Sequence, residues 1–91
     1  MRPTIIRVTG ESENVSPRNG TDFSLEEAQG IVGGYVEVVN LSKTQIMIVN
    51  EEGAVNGMEY NEGATLAYAM ALGRTNPIFG DVLVCETKMF R

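Results

Sequence analysis

The side chains best suited to binding chemistry lie between residues 61 and 76. Arg74, Thr75 and Asn76 are consecutive, so one turn offers a guanidinium and two hydrogen-bonding side chains. A guanidinium binds carboxylates and phosphates through paired hydrogen bonds. Asn61 stands at a predicted helix N-terminus, where backbone N–H groups attract anions. This part of the chain therefore predicts a site for a small anionic ligand.

Three further polar residues belong to the candidate set. Thr65 and Tyr68 supply polar groups on an otherwise uncharged helix, and Arg18 is a second candidate for anion binding in a long polar loop. For Asn61 the alternative is that its side chain only caps the helix, a role that asparagine favours. The predicted ligand-binding residues are Arg18, Asn61, Thr65, Tyr68, Arg74 and Asn76.

The composition excludes most catalytic machinery. The chain has no histidine and one cysteine, which rules out zinc sites of the Cys/His type and Ser-His-Asp or Cys-His catalysis within one chain. Cys85 lies in VLVCE, a predicted buried strand, where cysteine behaves as a small hydrophobic residue. Glu51 and Glu52 are adjacent and lack the spacing of a calcium loop. We predict a protein without catalytic residues, metal or cofactor; an enzyme that uses carboxylate or hydroxyl chemistry is the alternative.

The charge pattern argues against nucleic acid and membrane partners. Seven basic and twelve acidic residues give a net charge of −5, and the basic residues are scattered along the chain. Nucleic-acid binding requires a basic surface that neutralises phosphates. No uncharged stretch approaches the roughly 20 residues that span a bilayer, and the N-terminal segment lacks the apolar core of a signal peptide. We therefore expect a cytoplasmic protein.

The pattern of apolar residues and turn residues predicts one small α+β domain over residues 1–91, with a mostly antiparallel sheet and two helices. The predicted order is β-α-β-β-α-β, an order that also occurs in ferredoxin-like folds. Residues 10–22 form a predicted loop, mobile or functional, and a short extra strand is allowed near residue 55. The predicted strands are 4–9, 34–41, 45–50 and 79–88, and the predicted helices follow Ser24 and Asn61.

Gly33 and Gly34 raise the question of a phosphate-binding loop. Such loops run from a strand through glycines into a helix, whereas here the helix comes first and the strand last. The helix has a clear start, since Ser24 and Glu27 have the spacing of a capping box, and Leu25, Ala28, Ile31 and Val32 are spaced along one face. We predict that the glycines end this helix and begin the next strand.

The second helix has no charged residue from Ala64 to Leu72. One explanation is that its several alanines form a tolerable exposed surface. The other is that the helix forms a contact between identical subunits or the wall of a pocket. A chain of 91 residues has a small core and gains stability from a partner subunit, so we expect a homo-oligomer.

Several segments together resemble a family of small proteins of unknown function found in bacteriophages and mobile elements. The resemblance covers residues 23–84 and rests on FSLEEAQGIVGGYVEVV, NEEG, NEGAT and FGDVLV. It implies a role in the host cell during infection and suggests two classes of function. One is a non-catalytic protein that sequesters a small nucleotide-like signalling ligand in defence evasion. The other is an acidic interaction protein that inhibits a host enzyme by direct contact.

Overall fold

The computed structural model describes residues 2–90, which form a five-stranded antiparallel sheet and two helices. A 3₁₀ turn at Thr87–Met89 follows the last strand. In chain order the elements are β1 (Thr4–Ile6), β2 (Ser12–Asn14), α1 (Leu25–Val32), β3 (Val36–Asn40), β4 (Gln45–Asn50), α2 (Glu62–Leu72) and β5 (Val82–Glu86). The predicted small α+β architecture with an antiparallel sheet and two helices is confirmed.

The sheet carries one helix on each face. Its strand order is β2-β1-β5-β4-β3, and each pair of neighbours is antiparallel. Successive residues of a strand point to opposite faces. Ile46 and Ile48 of β4 pack in the cluster that contains Ala28 and Val32 of α1. Met47 of β4, with Val49, packs instead in the cluster that contains Ala64 and Tyr68 of α2. The helices therefore lie on opposite sides of the sheet, whereas many α+β folds place their helices on one side.

Two expectations for strands are wrong. The predicted loop at 10–22 contains β2, which pairs with β1, and the segment near residue 55 is a turn without a strand. The side chains of β2 are exposed, so no apolar pattern marks it. Arg7 anchors β2, because its guanidinium bonds to Glu13 on β2 and to Asp81 before β5, the second at 2.9 Å.

Local side-chain signals set the ends of α1 as predicted. Ser24 and Glu27 form the capping box, and Gly33 ends the helix in the left-handed conformation with φ 81° and ψ 24°. A Cβ added to Gly34 would lie 2.9 Å from Nδ2 of Asn50, so this glycine allows β4 to approach the end of the helix. One residue departs from the predicted apolar face, since Leu25 is 50% exposed. Neither glycine precedes a helix, so the pair does not form a phosphate loop.

The predicted strands 34–41 and 45–50 correspond to β3 and β4, which form a hairpin paired from Val36 opposite Asn50 to Asn40 opposite Ile46. The two strands differ in their place in the sheet. β4 lies between β5 and β3 and is buried over most of its length. β3 is an outer strand, and Val38 at its middle is 41% exposed.

Candidate functional site

The N-terminus of α2 is built into the core through Asn61. Its side-chain oxygen accepts a hydrogen bond from the backbone N–H of Ala64 at 3.0 Å, which confirms the capping role. Its side-chain nitrogen donates to the carbonyl oxygens of Ile6 and Gly80, both at 2.9 Å. The residue is 0% exposed. Asn61 thus ties β1 and the segment before β5 to α2, and its side chain offers no surface to a ligand.

Thr65, one turn along α2, has a similar structural contact. Its hydroxyl oxygen accepts a hydrogen bond from the backbone N–H of Ile78 at 2.9 Å, and its side chain is buried. Ile78 in turn packs in the core cluster on this face of the sheet and accepts a hydrogen bond from the N–H of Asn61. Thr65 therefore holds the segment after α2 against the helix.

Tyr68 and Arg74 form the one pair of predicted site residues in direct side-chain contact within residues 2–90. Nε of Arg74 donates a hydrogen bond to the Tyr68 hydroxyl at 3.2 Å, and Cζ of Arg74 lies 5.9 Å from the centre of the Tyr68 ring. Such a position over an aromatic ring is attractive for a cation. Tyr68 is buried, whereas Arg74 is exposed just beyond Gly73, the C-cap of α2. The tyrosine thus orients a guanidinium at the end of the helix.

Asn76 lines a small cavity of about 140 Å³ next to this turn. The cavity also contains Glu37, Glu51 and the buried Asn50, and no lysine or arginine lines it. Two carboxylates without a basic residue disfavour an anion. The cavity therefore does not combine with Arg74 into the predicted anion site.

Arg18 lies on the other side of the sheet. It lines a groove with Glu26, Glu27 and Ile31 of α1, the helix that packs on the face opposite to α2. Its backbone N–H donates to the Glu27 carboxylate at 2.8 Å. The hydrogen bond from the Ser24 N–H, together with this one from Arg18, holds the pKa of Glu27 below its usual value. The six predicted residues therefore do not form one site.

The feature that the candidate set omitted is the outer side of α2. Leu66 is 59% exposed and Met70 is 78% exposed, one turn apart on the helix. Beside them runs a groove of about 480 Å³ between α2 and the sheet, with a mostly apolar lining that includes Ala67, Ala71 and Val84. We call Leu66, Met70 and this groove the α2 apolar surface. The absence of charged residues between positions 64 and 72 indicates this surface in the sequence, but sequence alone does not distinguish the exposed leucine from the buried tyrosine.

A family model described as a domain of unknown function, DUF3846, matches residues 1–89, nearly the whole chain. The chain belongs to the DUF3846 family. No curated protein and no solved structure matches it. The resemblance to a family of unknown function is thus confirmed, over a longer span than residues 23–84.

Cys85, the single cysteine of this DUF3846 domain, is buried in β5. Burial raises the pKa of the Cys85 thiol to about 11, so the thiolate that would react is scarce at neutral pH.

Within residues 2–90 no three carboxylates or cysteines come together as metal ligands. In the same range no helix has the length and apolar content needed to cross a membrane.

Proposed function

We propose that this DUF3846 domain is a non-catalytic binding protein that acts through the α2 apolar surface. The observation that carries the proposal is the exposure of Leu66 and Met70 on a helix without charge between Glu62 and Arg74. Burial of apolar surface releases roughly 25 cal/mol per Å², so two such side chains favour association. Contiguous exposed apolar residues commonly mark interaction sites.

The distribution of charge supports the same surface. The chain has a net charge of −5, which opposes the approach of a second acidic surface over most of the molecule. The negative Glu62 at the start of α2 and the positive Arg74 just beyond its C-cap balance, and the intervening residues are neutral. A homo-oligomer of this acidic cytoplasmic protein is the form that we expect. Inhibition of a host enzyme by contact is the alternative use of the same surface.

A small anionic ligand is the second candidate, and Arg74 favours it. Tyr68 holds its guanidinium through Nε, and the two Nη groups make no hydrogen bond to any other described residue. A guanidinium fixed in this way can donate two parallel bonds to a phosphate. A nucleotide-like signal sequestered during phage infection is the ligand class and the setting that we propose for this candidate.

Native mass spectrometry of the purified protein tests the first candidate. We expect species heavier than the 9.9 kDa chain. Leu66→Lys combined with Met70→Lys should return the protein to the bare chain. The matched control is Val55→Lys, because Val55 is 84% exposed in the turn after β4 and lies outside the α2 apolar surface. A wild-type protein that remains the bare chain and melts independently of concentration refutes the homo-oligomer.

Thermal unfolding with a panel of nucleotides tests the second candidate. A ligand at a hundred times its dissociation constant stabilises the folded state by about 2.7 kcal/mol. Arg74→Gln should abolish the rise in melting temperature, whereas Arg18→Gln on the other face should preserve it. If no nucleotide raises the melting temperature, or if both variants respond like wild type, Arg74 is not an anion site.

A further inference from the structure

Opposite charges flank α2, at equal numbers of sequence positions from the centre of its exposed apolar residues. Leu66 and Met70 are centred on position 68. Glu62 stands six positions before this centre, in the first turn, and Arg74 stands six positions after it, just beyond the C-cap. When the helix is turned end over end, the apolar residues therefore keep their positions and the positive and negative charges exchange theirs.

We propose that the partner of the α2 apolar surface is a second copy of this chain, with the two α2 helices antiparallel about a two-fold axis near position 68. The inference rests on the proposed function and specifies the partner of the same surface. In this register Leu66 packs against Met70 of the partner subunit. Glu62 lies beside Arg74 of the partner subunit, and the same pair recurs at the other end. One contact thus forms two apolar pairs and two ion pairs.

The dimensions of the helix agree with this register. α2 has eleven residues, which correspond to about 16 Å along its axis, and Arg74 follows the C-cap Gly73. Antiparallel helices packed about 8–10 Å apart bring the ends of the two segments side by side, within the combined reach of a glutamate and an arginine. A parallel pair would place Glu62 beside its own copy and Arg74 beside its own copy, which is repulsive at both ends. Antiparallel helix dipoles add to the preference.

The contacts within one chain leave both charges available for this pairing. Arg74 uses only Nε to bond Tyr68, so its Nη groups remain for a carboxylate. Glu62 forms no ion pair with residues 2–90 and is exposed. The net charge of the surface is zero, although the whole chain is acidic. Two copies therefore avoid most of their mutual repulsion at this surface.

Charge reversal with sedimentation equilibrium tests the register. Glu62→Arg and Arg74→Glu should each weaken the dimer by about tenfold at low ionic strength, because each reverses two symmetric pairs. The double variant should recover most of the wild-type affinity. High salt should reduce the differences among the four proteins. Melting of each variant, at a concentration where the wild type is monomeric, separates an effect on folding from an effect on association.

The outcomes distinguish this inference from the proposed function. A dimer that is disrupted by Leu66→Lys with Met70→Lys, but shows no recovery in the double charge reversal, overturns the antiparallel register and leaves the α2 apolar surface as the contact. A wild-type protein that stays a bare chain overturns the antiparallel dimer and the homo-oligomer of the proposed function together. Recovery in the double variant, absent from each single variant, supports the pairing, because a structural defect of Glu62→Arg would persist in the double.

Discussion

Replacement of Asn61 by aspartate separates its two roles at the start of α2. Aspartate keeps an oxygen that can accept the hydrogen bond from Ala64 N–H, so the helix cap is preserved. It loses the nitrogen that donates to the carbonyl oxygens of Ile6 and Gly80. Both carbonyls would then face a carboxylate oxygen in a site where Asn61 has no exposed surface. We expect the substitution to destabilise the fold strongly.

The magnitude follows from the two lost bonds. A buried acceptor without its donor costs about 1–3 kcal/mol, so two cost about 2–6 kcal/mol before the buried charge is counted. That loss is a large part of the 5–15 kcal/mol by which small domains are stable. Ser24→Ala is the matched control, because Ser24 caps α1 from an exposed position and its loss costs about 1 kcal/mol.

Urea unfolding followed by circular dichroism measures both variants. The deficit of Asn61→Asp should also depend on pH. Burial and the two carbonyls raise the folded pKa of the new carboxyl above its unfolded value. The protonated form can donate one bond, so the deficit is largest above the folded pKa and decreases as pH falls through it. A free energy of unfolding within about 1 kcal/mol of wild type, well below the expected loss, would show that these bonds do not support the fold.

Three further predictions concern other parts of the fold. Gly34→Ala should destabilise the fold by about 1–3 kcal/mol, because the added Cβ would lie 2.9 Å from the buried side-chain nitrogen of Asn50. Gly30→Ala adds a Cβ in open space within α1, so it should stabilise the fold by about 0.5–1 kcal/mol in the same urea assay. Cys85, with a pKa of about 11, should react with a thiol reagent at pH 8 only when the protein is unfolded, and rapid reaction of the folded protein would contradict its burial. Backbone N–H groups lower the folded pKa of Glu27. Its carboxylate therefore stabilises the fold above its unfolded pKa, and this stabilisation is lost as pH falls through the folded value. Stability measured against pH should therefore fall less in acid for Glu27→Gln, and parallel curves would refute this role.

The helix ends could be predicted because their signals are local. Ser24 bonds three residues ahead, and Asn61 does the same in α2. Gly33 and Gly73 end the two helices in the left-handed conformation that glycine adopts without steric cost. Each of these contacts joins residues that are close in sequence, so spacing alone identifies them.

The rest depends on contacts between distant segments. β2 has no apolar pattern, and it is anchored by Arg7, whose other partner Asp81 is 74 positions away. The same distance effect separates the predicted site residues. Arg18 and Arg74 are both exposed cations. The helices beside them pack on opposite faces of the sheet, so the two arginines lie apart. Side-chain chemistry indicates what a residue can bind, but only packing determines which residues share a site.

The buried side and the outer side of α2 differ in their contacts with the rest of the chain. The buried side, with Ala64, Thr65 and Tyr68, accounts for the contacts that attach the helix to the sheet. Leu66 and Met70 lie largely outside those contacts, so lysine or glutamate there would preserve the packing and the helix while improving solubility. The fold does not require apolar residues at these two positions, and for this reason we propose that they serve a contact outside the chain. In the proposed dimer, the balance of Glu62 against Arg74 would give that contact a direction, which an exposed apolar surface alone would lack.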